Sequence, residues 1–113
     1  MIKQVIIDLV MERLYKPLFR KFVKKQTRPL QLAIEDEIEK IAKNPAIGET
    51  KIGDLQGIQA HKFKFQRQVF LVAYRVTESD LLFYSIGTHE NFYRDLKKYL
   101  KDIKKNDFSW KNI

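Results

Sequence analysis

The period of the hydrophobic positions changes from one block of the chain to the next. Ile2 to Leu9 is apolar and partly alternating, with β-branched Val5, Ile6 and Ile7, which predicts a short strand. Leu14, Leu18, Phe19, Phe22 and Val23 then recur at helical spacing, with Arg13, Lys16, Arg20, Lys21, Lys24 and Lys25 between them. This predicts an amphipathic helix with a strongly basic face, its regular part starting close to Pro17. Thr27-Arg28-Pro29 marks a break and a restart, since proline suits the first turn of a helix. Leu30, Ile34, Ile38 and Ile41 follow at four- and three-residue steps, and Glu35, Asp36, Glu37 and Glu39 fill the other face. On that face Glu35 and Glu39 crowd one another, while Glu39 and Lys43 form a favourable pair. Asn44-Pro45 ends this second helix. The two helices, one basic and one acidic, are expected to form an antiparallel hairpin.

Ala46 to Gly57 reads as a loop punctuated by Gly48, Gly53 and Gly57. From Ile58 to Phe65 the period drops to two: Phe63 and Phe65 share one face, Lys62 and Lys64 the other. His61 alternates with the phenylalanines and is expected to pack at a sheet edge. Gln66-Arg67-Gln68 is a short turn. Val69 to Val76 is nearly all apolar, as a strand covered on both faces should be. Thr77 to Asp80 is the next turn and Leu81 to Ile86 the next strand, so three strands form an antiparallel meander. A last helix carries Phe92, Leu96, Tyr99, Leu100 and Ile103 on one face and five lysines on much of the rest. Asp107 to Ile113 reads as a tail. The order β-α-α-β-β-β-α predicts one α+β domain: a small antiparallel-meander sheet packed against an N-terminal helical hairpin, with a C-terminal helix.

Composition narrows the function classes. The 113 residues carry 22 Lys and Arg against 14 Asp and Glu, a formal charge of +8, with 44% hydrophobic residues. That balance favours polyanionic partners: nucleic acid, an acidic protein or anionic lipid. The absence of cysteine excludes disulfides, thiol catalysis and thiolate metal sites, and two histidines, His61 and His89, make a multi-histidine metal centre a poor expectation. No run approaches the about 18 apolar residues of a membrane helix. A cytoplasmic protein without a cofactor is the expectation.

The densest chemistry lies at Ser85-Ile86-Gly87-Thr88-His89-Glu90-Asn91-Phe92-Tyr93, where a strand ends near Gly87 and a helix begins near Thr88. The turn presents an imidazole and, about one helical turn later, a phenol. In a cationic chain that combination points to phosphate chemistry or phosphate binding.

Together with the element order, several segments resemble the RelE/ParE superfamily of type II toxin–antitoxin toxins. They are Asn44-Pro45-Ala46-Ile47-Gly48-Glu49, the run Gly53-Asp54-Leu55-Gln56-Gly57-Ile58 leading to Lys62-Phe63-Lys64-Phe65, and Ile86 to Leu96. The resemblance covers Leu14 to Lys101. It implies one of two activities: cleavage of mRNA in the ribosomal A site, or poisoning of DNA gyrase, in either case neutralised by an antitoxin, here expected to be acidic. Fold alone does not choose between them.

RNA cleavage through the 2′-hydroxyl needs a base for that proton, a donor for the 5′-leaving oxygen and cations for the phosphorane charge. Side chains alone can supply all three. Lys62 and Lys64 are candidates to hold the scissile phosphate and, by resemblance, to take part in proton transfer; the plainer alternative is a solvated lysine face. His89 falls where the resemblance places a basic or imidazole side chain, and its reference pKa of about 6.5 suits acid–base work; the alternative is a capping histidine. Tyr93 resembles the family's C-terminal tyrosine, able to stack on a base or assist the 2′-OH, and otherwise serves the core. Lys51, Arg67, Arg75 and Asn91 are the substrate-binding candidates, the arginines through their guanidinium forks. One departure stands out: the resemblance expects an arginine early in the central strand, where this chain has Leu71. The expected partners are thus an acidic antitoxin with ribosome and mRNA, or DNA gyrase in their place, or, for a catalytically degenerate domain, RNA or an acidic protein.

Overall fold

The computed structural model describes residues 11–50, 57–89 and 92. The expected strand at Ile2 to Leu9, the tail, and Lys51, Asn91 and Tyr93 lie outside them. The described elements are β1 (Glu12–Tyr15), α1 (Pro17–Lys24), α2 (Arg28–Lys43), a 3-10 turn (Pro45–Ile47), β2 (Glu49–Thr50), β3 (Gln59–Phe65), β4 (Gln68–Val76) and β5 (Asp80–Thr88). His89 and Phe92 are helical, and the rest of the expected last helix is outside the described residues.

The sheet order is β1-β5-β4-β3-β2. β3, β4 and β5 form the expected antiparallel meander, with β4 the central strand between β5 and β3. Two strands differ from the sequence reading. Glu12–Tyr15, read as the approach to the first helix, is a strand paired parallel to β5, with Leu14 opposite Leu82 and Tyr15 opposite Phe83. The helix starts only at Pro17, whose fixed φ and missing N–H suit a first helical position. Within the expected loop, Glu49–Thr50 pairs antiparallel with Ala60 and Gln59. The sheet is therefore mixed rather than purely antiparallel.

Both helices lie on one face of the sheet. Phe19 of α1 and Leu30, Ile34, Ile38 and Ile41 of α2 are buried against Phe63, Phe70, Val72, Tyr74, Leu81, Phe83 and Ile86. The aromatic ring of Tyr15 stacks on Phe19 and Phe83, which are tilted against each other, at centroid separations of 5.2–5.6 Å. α2 begins at Thr27, whose Oγ1 accepts from the Leu30 amide at 3.4 Å. Arg13 of β1 pairs with Glu39 of α2 through both guanidinium nitrogens, so Glu39 is tied to the sheet edge as well as lying near Lys43.

The opposite face carries a second, smaller cluster, Ile58, Ala60, Leu71, Ala73, Tyr84 and Phe92. A register shift in β5 brings Ser85 and Gly87 to the same face. Ala73 pairs with Ser85 while Tyr74 pairs with Phe83, which leaves Tyr84 as the extra residue of a β-bulge. Before the bulge, Leu81 and Phe83 face the helices; after it, Ile86 does. Tyr84, Ser85 and Gly87 consequently fall on the other face.

The turn that follows α2 is pinned by one phenol. Tyr74, fully buried on β4, donates from its hydroxyl to the Pro45 carbonyl at 2.7 Å and accepts from the Gly48 amide at 2.9 Å. Burial pushes this phenol above its ordinary pKa, the Gly48 bond only partly opposing that, so it stays protonated and able to donate. Gln59 Nε2 adds bonds to the carbonyls of Pro45 and Gly48. A Cβ at Gly48 would lie 2.6 Å from the Tyr74 hydroxyl, so the approach requires glycine. Tyr74→Phe leaves the ring in place but strands the buried Gly48 amide and leaves the Pro45 carbonyl to Gln59 alone. It should cost about 1–3 kcal/mol, read as a lower urea midpoint with an unchanged slope.

Candidate functional site

β3 delivers its side chains alternately to the two faces. Phe63 goes to the helices, Lys62 and Lys64 to the far side, and both lysines are exposed. In register across the sheet, Lys62 stands opposite Leu71, which stands opposite Gly87. The neighbouring row runs Glu49, Ala60, Ala73, Ser85. Because alternate residues share a face, these two rows form one surface. Its central positions are small or buried: Leu71 is only 3% exposed, and a Cβ on Gly87 would meet nothing within 4 Å.

A recess of about 500 Å³ opens there, lined by Ile47, Glu49, Ala60, His61, Lys62, Leu71 and His89. The structure thus brings together two of the residues singled out from the sequence, Lys62 and His89. The bulge at Tyr84 makes this possible, because without its extra residue the alternation from Leu81 and Phe83 would turn position 89 to the helices. His89 is exposed at the junction of β5 and the following helix. The other candidate residues fall elsewhere. Lys64 is one step further along the same face and does not line the recess. Arg67 occupies the tip of the β3–β4 hairpin, where Gln66 and Arg67 have φ of 48° and 69°. Two successive positive φ values are the signature of the tight hairpin turn that favours asparagine and glycine. Arg75 lies at the far end of β4, its guanidinium 5.9 Å from the Tyr84 ring centroid and packed over Gly57.

Glu49 is the residue that sequence reading missed. It sits on β2 beside Ala60, so its carboxylate belongs to the same surface as Lys62. The signal was its place directly after the Asn44–Gly48 turn, masked because the segment read as loop. Among the described residues no group of three His, Cys, Asp or Glu is arranged to hold a metal ion, and no helix is long and apolar enough to cross a membrane.

His61, beside Lys62, faces the helices as its alternation suggested. Its Nε2 donates to Glu37 Oε1 of α2 at 2.7 Å, and Lys40 Nζ reaches the other carboxylate oxygen at 3.0 Å. This cluster clips α2 to the strand that carries the lysines.

The sequence profile described as the ParE-like toxin of type II bacterial toxin-antitoxin system matches residues 14–97. The chain belongs to this family. Its fold is similar to a chain of the intact E. coli RelBE toxin–antitoxin complex, with a TM-score of 0.55 at 14% identity, over 69% of this chain and 94% of that one. YafQ from E. coli strain BL21(DE3) is matched with a TM-score of 0.49 at 19% identity, over 74% and 98%. No curated protein matches the chain in sequence. The ParE-like toxin is therefore a type II toxin with a RelE-like α+β fold.

The Glu37 cluster gives this toxin a readable pH dependence. Burial tends to raise the Glu37 carboxyl, but the hydrogen bonds from His61 and Lys40 outweigh it and hold the pKa below its ordinary 4.5. A depressed carboxyl contributes stability that is present above the unfolded value and lost as pH falls through the folded one. Urea unfolding from about pH 6 to about pH 3 should therefore show wild type losing stability more steeply than Glu37→Gln, with the difference confined to the region below about 4.5.

Proposed function

We propose that this toxin is a ribosome-dependent mRNA endoribonuclease whose side chains, without a metal, carry the chemistry. The observation that supports this is the shared recess of Lys62, His89 and Glu49. Attack of a 2′-hydroxyl on the adjacent phosphorus breaks the bond to the 5′-oxygen and leaves a 2′,3′-cyclic phosphate and a 5′-hydroxyl. The Glu49 carboxylate accepts the 2′-OH proton. The His89 imidazole protonates the departing 5′-oxygen. The Lys62 ammonium stabilises charge on the non-bridging oxygens, and Lys64 holds the neighbouring backbone phosphate. Tyr93 supplies a stacking surface for a base next to the cut. Arg67 at the hairpin tip, Lys51 and Asn91 extend the contact to RNA, and Arg75 completes it from the far end of β4. The partners of this reading are the ribosome with its mRNA, and an acidic antitoxin that keeps the toxin silent in the cytoplasm.

One observation favours a second reading. Leu71, at the floor of the recess, stands where the resemblance expects an arginine. A toxin that binds DNA gyrase without catalysis has no need of that cation.

Primer extension on a reporter mRNA in a reconstituted translation system separates the two. Cuts within codons should appear only with ribosomes, and His89→Ala should lower cleavage about 10²–10⁴-fold. Lys62→Ala should lower it about 10²–10³-fold. Intact mRNA beside arrested supercoiling by purified gyrase would replace the ribonuclease reading with the second one.

A further inference from the structure

The described residues form two concavities of different character. One is a groove of about 660 Å³ between α1 and α2, with Phe19, Val23, Ile34 and Ile38 along its floor and Arg20, Lys21 and Lys24 at its edge. The other is the recess on the far face of the sheet, where Glu49, Lys62 and His89 meet. In that polar setting one side chain stands apart. Four large apolar residues among those described are exposed: Leu14, Leu32, Ile47 and Val76. Of these, Ile47 lines the recess, and it leaves 42% of its surface open to solvent. A lone aliphatic residue on an open surface needs no explanation. One aimed into a recess of charged groups does.

The backbone on both sides of Ile47 is fixed. Its own amide donates to the Asn44 carbonyl at 2.9 Å, closing the 3-10 turn. Two residues before it, the Pro45 carbonyl accepts from the Tyr74 hydroxyl and from Gln59 Nε2. Directly after it, the Gly48 amide donates to the same hydroxyl, and the Gly48 carbonyl accepts from Gln59. Tyr74 is itself fully buried, so the core of the protein sets the position of this turn. An exposed side chain on so firmly held a backbone is a preorganised contact surface, with little ordering left to be done when a ligand arrives.

The neighbours of Ile47 select the ligand. Leu71 and Ala60 line the same recess and offer no donor or acceptor from their side chains, whereas Lys62 offers an ammonium. A ligand that meets both needs a flat apolar part joined to an anion. A nucleotide has these two parts: a base with an apolar face and a phosphate. Because an isoleucine side chain forms no hydrogen bonds, it reads contact area and not the base edge, which favours the larger purine ring.

We propose that Ile47 is a specificity-determining residue that packs on the face of a purine base adjoining the phosphate held by Lys62. Its part in choosing where mRNA is cut rests on the ribonuclease reading; its contact with the base does not.

Two measurements on the full-length toxin test this. The first follows the δ1-methyl resonance of Ile47, assigned by its absence from Ile47→Val, as 2′-O-methylated hexa-adenylate is added. Blocking the 2′-oxygen removes the nucleophile, so the oligonucleotide stays whole. The ring current of a base packed on the methyl should move it upfield, and 2′-O-methylated hexa-uridylate should move it less. The second compares cleavage on ribosomes programmed with purine or pyrimidine codons. Ile47→Ala should raise KM on purine codons about tenfold while kcat stays within about twofold, the mark of a contact made equally in ground and transition states. Ile47→Leu, which keeps the aliphatic bulk, should restore KM. A methyl unmoved by both oligonucleotides, or a wild-type KM in Ile47→Ala, would overturn the proposal. So would a fall confined to kcat, which would mean that the substitution only displaces neighbouring Glu49. A methyl that moves in a toxin that cuts no mRNA upholds the base contact and removes the ribonuclease reading alone.

Discussion

A single extra residue in β5 decides which side chains meet. Strand side chains alternate with a period of two, so one inserted position moves everything beyond it to the other face. Leu81 and Phe83 point into the helix-facing core; after Tyr84 the apolar residue on that face is Ile86. Gly87 then stands over the open face beside Leu71, and His89 reaches the recess that Lys62 enters from β3. The bulge is tolerated because it sits between two interior strands. Buried clusters flank it on either side: Tyr74 and Phe83 on one face, Ala73 and Tyr84 on the other. Bulges commonly re-aim side chains next to functional sites, and here the re-aimed residue is the exposed imidazole.

The two faces of the sheet have different residue sizes for a physical reason. The helix-facing side must fill the space between sheet and helices, and large rings and branched chains do so. The far side uses Ala60, Ala73, Ser85 and Gly87 along its central rows, and Phe92 joins Ala60 and Ala73 in one buried cluster there. Cations are then placed at the margins of both concavities. Lys62 and Lys64 stand beside the recess, while Arg20, Lys21 and Lys24 stand beside the groove. Among the described residues, cations thus stand beside both concavities. A large basic excess by itself does not discriminate between RNA and an acidic protein; what lies between the cations does.

The meander was readable because its signals are local. Alternation in Ile58 to Phe65, an apolar run in Val69 to Val76 and short turns at Gln66-Arg67 and Thr77 to Asp80 place the three strands within one or two residues. β1 was not readable. Its four residues, Glu12–Tyr15, have no strong alternation, Leu14 fits the helical spacing of Leu18, and the pairing with β5 spans more than sixty residues of sequence. β2 is two residues long, below any periodicity, and Glu49 was lost with it. At the site, the alternation of Lys62 with Phe63 and the position of His89 after Gly87 were visible. Their shared face was not, because counting from Leu81 without the bulge puts His89 on the wrong side. The hairpin tip was legible as a turn but not in type, since Gln66 and Arg67 adopt left-handed conformations that sequence preference assigns to asparagine and glycine.

Leu71 carries the sharpest tension in the molecule, and the register eases it. Direct cross-strand partners have Cβ atoms about 4.5–5.5 Å apart, well within the reach of a lysine side chain. Lys62 is the partner of Leu71. An arginine at position 71 would have to rise from a position that is 3% exposed, beside an ammonium of like charge. With leucine there, the apolar side chain joins Ala60, Ala73 and Phe92 in the buried cluster, and the cation stands one strand over, exposed. Positive charge above the centre of the recess is in this way displaced from β4 to β3 and not lost. The leucine therefore weighs against the ribonuclease reading less than the sequence alone suggests, because the space above it remains within reach of a charged side chain.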